Sequence, residues 1–281
     1  MYYNESEFIM SNYIDCRRLA RACREDCIRM TNRAQSGHIG SMLSEIDLLV
    51  YLYEKVLRLD PYNPKMTERD RFVLSKVHAG AGLYAVLAHK GFFPMDWLTR
   101  YYCDDGKLSG HVSHHVPGVE VSTGALGHGL PIACGMALIA KRRGETHRVF
   151  CMVSNGDMNE GSSWEAIFFA AQQRLDNLIV ILDANKIQAL GKTKDVLNLE
   201  PLEKKVESFG WAVARINGHD FGEIEAALSI LPLEKSKPSF IMADTIKCKG
   251  IPAMEGIVKS HYWYVPDDQL ESTISALEVN C

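Results

Sequence analysis

Short apolar runs separated by polar turns alternate along the chain with segments of helical periodicity. The apolar runs at 149–153 and 178–182 each end at turn-forming residues, which predicts two buried strands. Between them the apolar side chains recur at helical spacing, and Asn159 or Ser162 could cap that helix. The segment therefore predicts a strand–helix–strand unit.

The same alternation extends through most of the sequence. We expect helices at 12–32, 42–57, 80–90, 126–141, 159–174 and 222–230, and further strands at 72–75, 211–216 and 240–245. Strands alternating with helices predict an α/β fold with a doubly wound, mostly parallel sheet. No linker-like segment divides the chain, so residues 1–281 are interpreted as one domain.

The polar turns after the two strands point to a ligand site. Parallel strands place their carboxyl ends at one edge of the sheet, where open α/β folds bind ligands. The amides of Asn155 and Asn185 are therefore expected to converge there. Amide oxygens suit Mg²⁺ or Ca²⁺ shared with a phosphate group, so the expected ligand is a metal-bridged diphosphate.

Composition excludes several other classes. The net charge of −4, with both signs interspersed, gives no reason to expect nucleic acid as a partner. No apolar run approaches the about 18 residues of a membrane span, and the first residues lack signal-peptide features, so no membrane association and a cytoplasmic location are expected. The eight cysteines contain no Cys-x-x-Cys pair, which favours reduced thiols.

Four segments resemble one enzyme family, the transketolases, in its order and at its spacing. The segments are SGHIGSMLSEIDLL (36–49), RDRFVLSKVHAGAGLYAVL (69–87), GVEVSTGALGHGLPIACGMAL (118–138) and NEGSSWEAIFFAAQQRLDNLIVILDANKIQALG (159–191). The turn Asn155-Gly156-Asp157, followed one strand later by Asn185, resembles the family's thiamine diphosphate motif. The resemblance implies a thiamine diphosphate-binding fold of the PP type.

Carried over by position, the resemblance implies a metal site and a diphosphate site. Asn155, Asn185 and the carbonyl of Ile187 would hold Mg²⁺ or Ca²⁺, and Gly156 would let the backbone approach the diphosphate. Asn155 stands where the family has aspartate, so we expect weaker Mg²⁺ affinity unless neighbouring Asp157 or Asp183 compensates.

Four histidines fall within or near matching motifs. The resemblance implies that His38 and His111 face the reacting carbons, and that His78 and His261 contact the diphosphate or thiazolium region, with His261 also counted as catalytic. A structural histidine is the alternative for each. The surroundings of His261, SHYWYVP, depart from the family's Trp-His-Gly pattern, which suggests a changed substrate.

Other matched positions carry weaker expectations. Gly124 and Leu126 match positions that meet the cofactor rings, or else are a helix-start glycine and a core leucine. Glu160 and Glu165 match a carboxylate pair near the family's dimer interface, or else are two exposed helix acids. His114 and His115 could form a metal site with His111, but a polar loop is favoured.

The resemblance also implies a partner, because transketolases activate the cofactor with a glutamate from a second domain that this chain lacks. We expect the N-terminal subunit of a split transketolase, inactive alone and assembled as α₂β₂ with a C-terminal subunit that supplies this glutamate. The complex would transfer a two-carbon ketol unit between sugar or sugar-phosphate substrates. Two alternatives stay open: delivery of that unit to a carrier-bound thiol in a specialised pathway, or a non-catalytic regulatory role.

Overall fold

The computed structural model describes residues 13–280 of the chain. Within them lie five strands: β1 (Arg71–Leu74), β2 (Val149–Ser154), β3 (Leu178–Ala184), β4 (Ala212–Asn217) and β5 (Ser239–Asp244). The helices are α1 (Ile14–Ala34), α2 (Ile39–Tyr51), α3 (Gly80–His89), α4 (Gly129–Arg142), α5 (Gly161–Gln172), α6 (Thr193–Val196), α7 (Leu202–Ser208), α8 (Phe221–Leu228) and α9 (Leu270–Asn280). Short helical turns lie at Leu52–Val56, Val77–Ala79, Met95–Arg100, Asp157–Asn159, Val258–Tyr262 and Asp267–Gln269.

The strands form one parallel sheet in the order β1-β2-β3-β5-β4. Every residue of β2 and β3 is buried, as expected for central strands covered on both faces. The α/β fold class and the parallel sheet predicted from the sequence are therefore confirmed.

Two helical layers cover the sheet, and alternate residues of each strand serve one layer or the other. On β2, Phe150 and Met152 belong to the core shared with α1, α2 and α3. Val149, Cys151 and Val153 belong to the opposite core, which includes residues of α4, α5 and α7. The period of two along a strand thus produces two separate hydrophobic cores.

The predicted capping of α5 is wrong. The helix begins at Gly161, and the residue before it is Glu160, whose side chain makes no capping hydrogen bond. Asn159 instead donates through Nδ2 to Gln188 Oε1 at 3.1 Å, and the Ser162 hydroxyl donates to the Gly127 carbonyl at 2.9 Å. Asn159 thus ties the loop after β2 to the loop after β3, and Ser162 ties the first turn of α5 to the segment before α4.

The structure also bears on membrane-spanning helices and on disulfide bonds. Among the helices of residues 13–280, none is long and apolar enough to cross a membrane. The seven cysteines of this part are all unpaired, and all but Cys103 are buried.

Candidate functional site

The carboxyl ends of the central strands open into a pocket of about 330 Å³. Nine residues predicted from the sequence line it: His38, His78, His111, Gly124, Leu126, Gly156, Asn185, Ile187 and His261. Asn155 lines a neighbouring cavity, which also includes Asn185 and Ile187. The structure thus brings together residues that are far apart in the sequence.

The four predicted histidines form one cluster. The ring centroid of His38 lies 5.5 Å from that of His78, 6.5 Å from that of His111 and 5.1 Å from that of His261. The loop that carries His38 is held by a hydrogen bond from its backbone N–H to the His261 carbonyl, at 2.7 Å. His38 has a left-handed backbone with φ of 74°, immediately before α2.

Burial keeps three of these imidazoles uncharged. Desolvation, followed by the charges of His111 and Lys247, lowers the pKa of His38 to about 4. Desolvation and Lys247 lower the pKa of His261 to about 3, and desolvation and Lys76 lower that of His78 well below its usual value. At neutral pH each of the three rings therefore offers one N–H donor and one nitrogen acceptor.

Three oxygen ligands predicted for a metal lie along the same edge. Asn155 Oδ1 accepts from the Lys186 backbone N–H at 3.1 Å, and Asn185 Oδ1 accepts from the Ile187 N–H at 3.2 Å. Both side chains are buried. Within residues 13–280, no group of three or more His, Cys, Asp or Glu side chains is placed to hold a metal. Two amides and a carbonyl fit a hard cation whose other ligands come from phosphate or water, but not a site built from protein ligands alone.

The two nearby carboxylates are engaged elsewhere, so neither supplies the charge missing at Asn155. Asp157 is fully buried and accepts hydrogen bonds from Ser75, Gly127 and Ser154. Asp183, also fully buried, accepts from the Lys76 ammonium, from Thr245 and from Ser44. Asp183 also accepts a hydrogen bond from Asn185 Nδ2 at 3.1 Å, so Oδ1 of that amide does not face the carboxylate.

The glycines leave room for a ligand. A Cβ at Gly156 would lie 2.8 Å from Leu126 Cδ1, so a side chain here would displace the leucine that lines the pocket. A Cβ at Gly124 would meet no atom of the described chain within 4 Å, although this residue also lines the pocket. The backbone is therefore open on the pocket side at Gly124.

Lys247 is a residue of the site that the sequence did not indicate. It lines the pocket, and its Nζ lies 2.9 Å from His261 Nδ1 and 3.1 Å from Ser41 Oγ. In the described part of the chain no carboxylate lies within ion-pair distance of this buried ammonium, and desolvation and Lys76 lower its pKa to about 8. A buried cation without an acidic partner favours an anionic ligand in the pocket. Its only sequence signal is its place just after β5.

The remaining candidates lie outside the pocket. Glu160 and Glu165 are exposed in the isolated chain. On α5, the same helix as Glu165, Phe168 is 64% exposed. His114 and His115 are exposed, and His114 Nδ1 lies 2.8 Å from Ser122 Oγ, as expected for a polar loop.

The chain is similar in sequence to known proteins of one family. Residues 16–280 match the family model of the transketolase thiamine diphosphate binding domain. The chain is 41% identical to one of the subunits of an apulose-4-phosphate transketolase from Actinobacillus succinogenes, over 95% of this chain and 97% of the relative. It is 37% identical to a 6-deoxy-6-sulfo-D-fructose transketolase subunit from a Clostridium species, over 94% and 97% of the two chains.

Solved structures give the same result for the fold. The chain resembles the transketolase of Campylobacter jejuni with a TM-score of 0.83 and 31% identity, over 94% of this chain and 46% of that one. For the transketolase of Leishmania mexicana the TM-score is 0.85, with 26% identity, over 94% and 44% of the two chains. The chain therefore spans slightly less than half the length of these solved enzymes.

Proposed function

The chain belongs to the family of transketolase thiamine diphosphate binding domains, and from this membership we propose that it is one subunit of a two-chain transketolase. The complex transfers a two-carbon ketol unit from a ketose, or its phosphate, to an aldose or another acceptor. The observation that carries the proposal is the pocket itself, in which four histidines, two of the oxygen ligands and a buried ammonium without a carboxylate partner converge, with Asn155 in the adjoining cavity. The chain covers 97% of two relatives that are named as transketolase subunits, which supports the proposal that it acts with a partner chain.

The residues at the sheet edge fit a metal-bound diphosphate. Asn155, Asn185 and the Ile187 carbonyl would hold Mg²⁺ (or Ca²⁺), and Gly156 lets the diphosphate approach the backbone. The Lys247 ammonium faces the same pocket and complements the negative charge of the diphosphate, and the uncharged His78 can donate one N–H to it. Thiamine diphosphate, when bound, supplies the carbanion chemistry of ketol transfer.

The other pocket residues act on the substrate and on the cofactor rings. His38 and His111 donate to oxygens of the ketose, and because His38 is uncharged it can also accept a proton. His261, fixed against Lys247, is oriented by that contact. Gly124 and Leu126 line the wall next to which the rings would lie.

The rest of the site would come from a second chain. We expect a C-terminal transketolase subunit to supply the glutamate that activates the pyrimidine ring, as in enzymes that carry both halves. The exposed apolar side chains of α4 and α5, among them Ile132, Ile139 and Phe168, support burial of this face in an α₂β₂ assembly. Glu160 and Glu165 lie beside or on α5 and would then form the interface carboxylate pair.

Reconstitution tests the proposal. This chain is mixed with a C-terminal transketolase subunit of a split enzyme, together with Mg²⁺, thiamine diphosphate, xylulose 5-phosphate and an aldose phosphate. Ketol transfer should require both chains and should stop when a chelator removes the metal. Cofactor binding without transfer to any sugar would favour a specialised acceptor, such as a carrier-bound thiol. Absence of cofactor binding would refute the proposed function.

A further inference from the structure

We propose that Tyr262 is a specificity-determining residue, which contacts the sugar chain of the ketose beside His38. This inference rests on the proposed function and concerns the same pocket. Tyr262 lines that pocket, yet its side chain remains 69% exposed. A large aromatic residue that is exposed at a pocket, instead of being packed in the core, is available to a ligand.

The ring stands directly against two histidines of the site. Its centroid lies 5.2 Å from that of His38 with an interplanar angle of 67°, and 4.7 Å from that of His261 with an angle of 77°. Both are edge-to-face arrangements, which fix the ring relative to the imidazoles. A substrate bound at His38 would therefore lie close to the Tyr262 ring.

The backbone holds this position tightly. A Cβ at Gly37 would lie 3.0 Å from Tyr262 Cα, so the glycine permits the close approach of two segments that are distant in the sequence. The neighbouring hydrogen bond from His38 N–H to the His261 carbonyl joins the same segments. The ring is thus carried on a fixed backbone next to the reacting region.

The phenol hydroxyl is free to recognise a substrate. Within residues 13–280 the Tyr262 hydroxyl has no hydrogen-bond partner, and its ring makes aromatic contacts with His38 and His261. A phenol O–H can donate to and accept from the hydroxyls of a sugar. The ring also occupies space beside His38 that a longer or bulkier ketose would need, so it should disfavour such substrates.

Tyr262→Phe and Tyr262→Ala test the inference in the reconstituted two-chain complex. The matched control is Tyr264→Phe, which removes the same hydroxyl two residues away, on a half-buried tyrosine that does not line the pocket. The probes are xylulose 5-phosphate, fructose 6-phosphate and sedoheptulose 7-phosphate as donors. Three quantities are measured: KM and kcat for each ketose, the Kd of thiamine diphosphate with Mg²⁺, and the affinity between the two chains.

Tyr262→Phe should raise the KM of the preferred ketose about three- to tenfold, because the variant loses one neutral hydrogen bond to the substrate. The kcat should change little. Tyr262→Ala should shift the ratio of kcat/KM toward the longer ketoses by about tenfold. The cofactor Kd should stay within about twofold, and Tyr264→Phe should match the wild type.

Unchanged KM values and ratios in a complex that binds cofactor and transfers ketol units would overturn the role of Tyr262, while the proposed function would stand. A change only in the affinity between the two chains would equally overturn it, by making Tyr262 a contact of the partner. A wild-type complex that binds no cofactor would refute the proposed function, and this inference with it.

Discussion

The carboxylate of Asp157 joins three segments of the site, so its replacement by asparagine is the sharpest test of how the pocket is held. Oδ1 accepts from the Ser75 hydroxyl at 2.5 Å and from the Gly127 N–H at 2.9 Å. Oδ2 accepts from the Ser154 N–H at 2.8 Å and from its hydroxyl at 2.7 Å. These donors lie at the end of β1, in the turn before α4, and at the end of β2.

Asp157→Asn conserves shape but cannot satisfy these donors. The two hydroxyls can rotate to accept from an amide, whereas the two backbone N–H groups cannot, and they face different oxygens of the carboxylate. Whichever way the amide is oriented, one N–H then faces an NH₂ group in a fully buried position. Loss of one charge-assisted hydrogen bond and burial of an unsatisfied donor together cost about 2–5 kcal/mol.

Urea unfolding of the wild type and Asp157→Asn at equal protein concentration measures this cost. In a thermal scan the expected loss corresponds to a fall in Tm of about 4–20 °C, because about 2–4 °C accompany each kcal/mol in chains of roughly this size. Asp195→Asn is the matched control, since Asp195 is exposed, and it should stay within about 0.5 kcal/mol of the wild type. A loss below about 0.5 kcal/mol for Asp157→Asn as well would refute the role given to this carboxylate.

Three further predictions concern the metal, pH and assembly. Asn155→Asp should tighten Mg²⁺ binding about tenfold or more in the presence of thiamine diphosphate, because it adds a negative charge that Asp157 and Asp183 do not supply. A calorimetric Mg²⁺ affinity equal to that of the wild type would contradict this. In the folded chain the pKa values of His38 and His261 are lowered from 6.5 to about 4 and about 3. As the pH falls below about 6.5, the unfolded chain therefore binds protons before the folded chain does. The free energy of unfolding should consequently decline from about pH 6.5 toward pH 4. His261→Gln should make that decline shallower by about 1–2 kcal/mol, and parallel pH profiles in urea unfolding would argue against it. Phe168→Glu should weaken assembly of the complex in sedimentation experiments, and an unchanged oligomer would exclude this face as the interface.

The strands and the sheet edge could be predicted from the sequence because their signals are local. Apolar runs of β2 and β3 end in turns that place Asn155 and Asn185, and parallel pairing brings the two turns to one edge. The four histidines could be predicted only as members of matched motifs, since periodicity says nothing about which loops meet. Their clustering is a property of the tertiary fold.

The features that could not be predicted depend on contacts between distant segments. The hydrogen bonds of Asp157 with Ser75 and Gly127 show that it is not a spare metal ligand, and they follow only from the packing of the end of β1 and the turn before α4 against the end of β2. The capping roles expected for Asn159 and Ser162 failed for the same reason, because Gln188 and Gly127 offered them partners. The residues next to Lys247 in the sequence likewise do not predict that its ammonium is buried without a carboxylate partner.

We propose that this chain holds a metal-bound thiamine diphosphate at the carboxyl edge of its sheet. A crystal structure of the two-chain complex with thiamine diphosphate and Mn²⁺, recorded with anomalous scattering, tests it directly. We expect an anomalous peak within about 2.3 Å of Asn155 Oδ1, Asn185 Oδ1 and the Ile187 carbonyl, with the diphosphate beside Gly156. Cofactor bound elsewhere, or a metal that contacts none of these three oxygens, would contradict it.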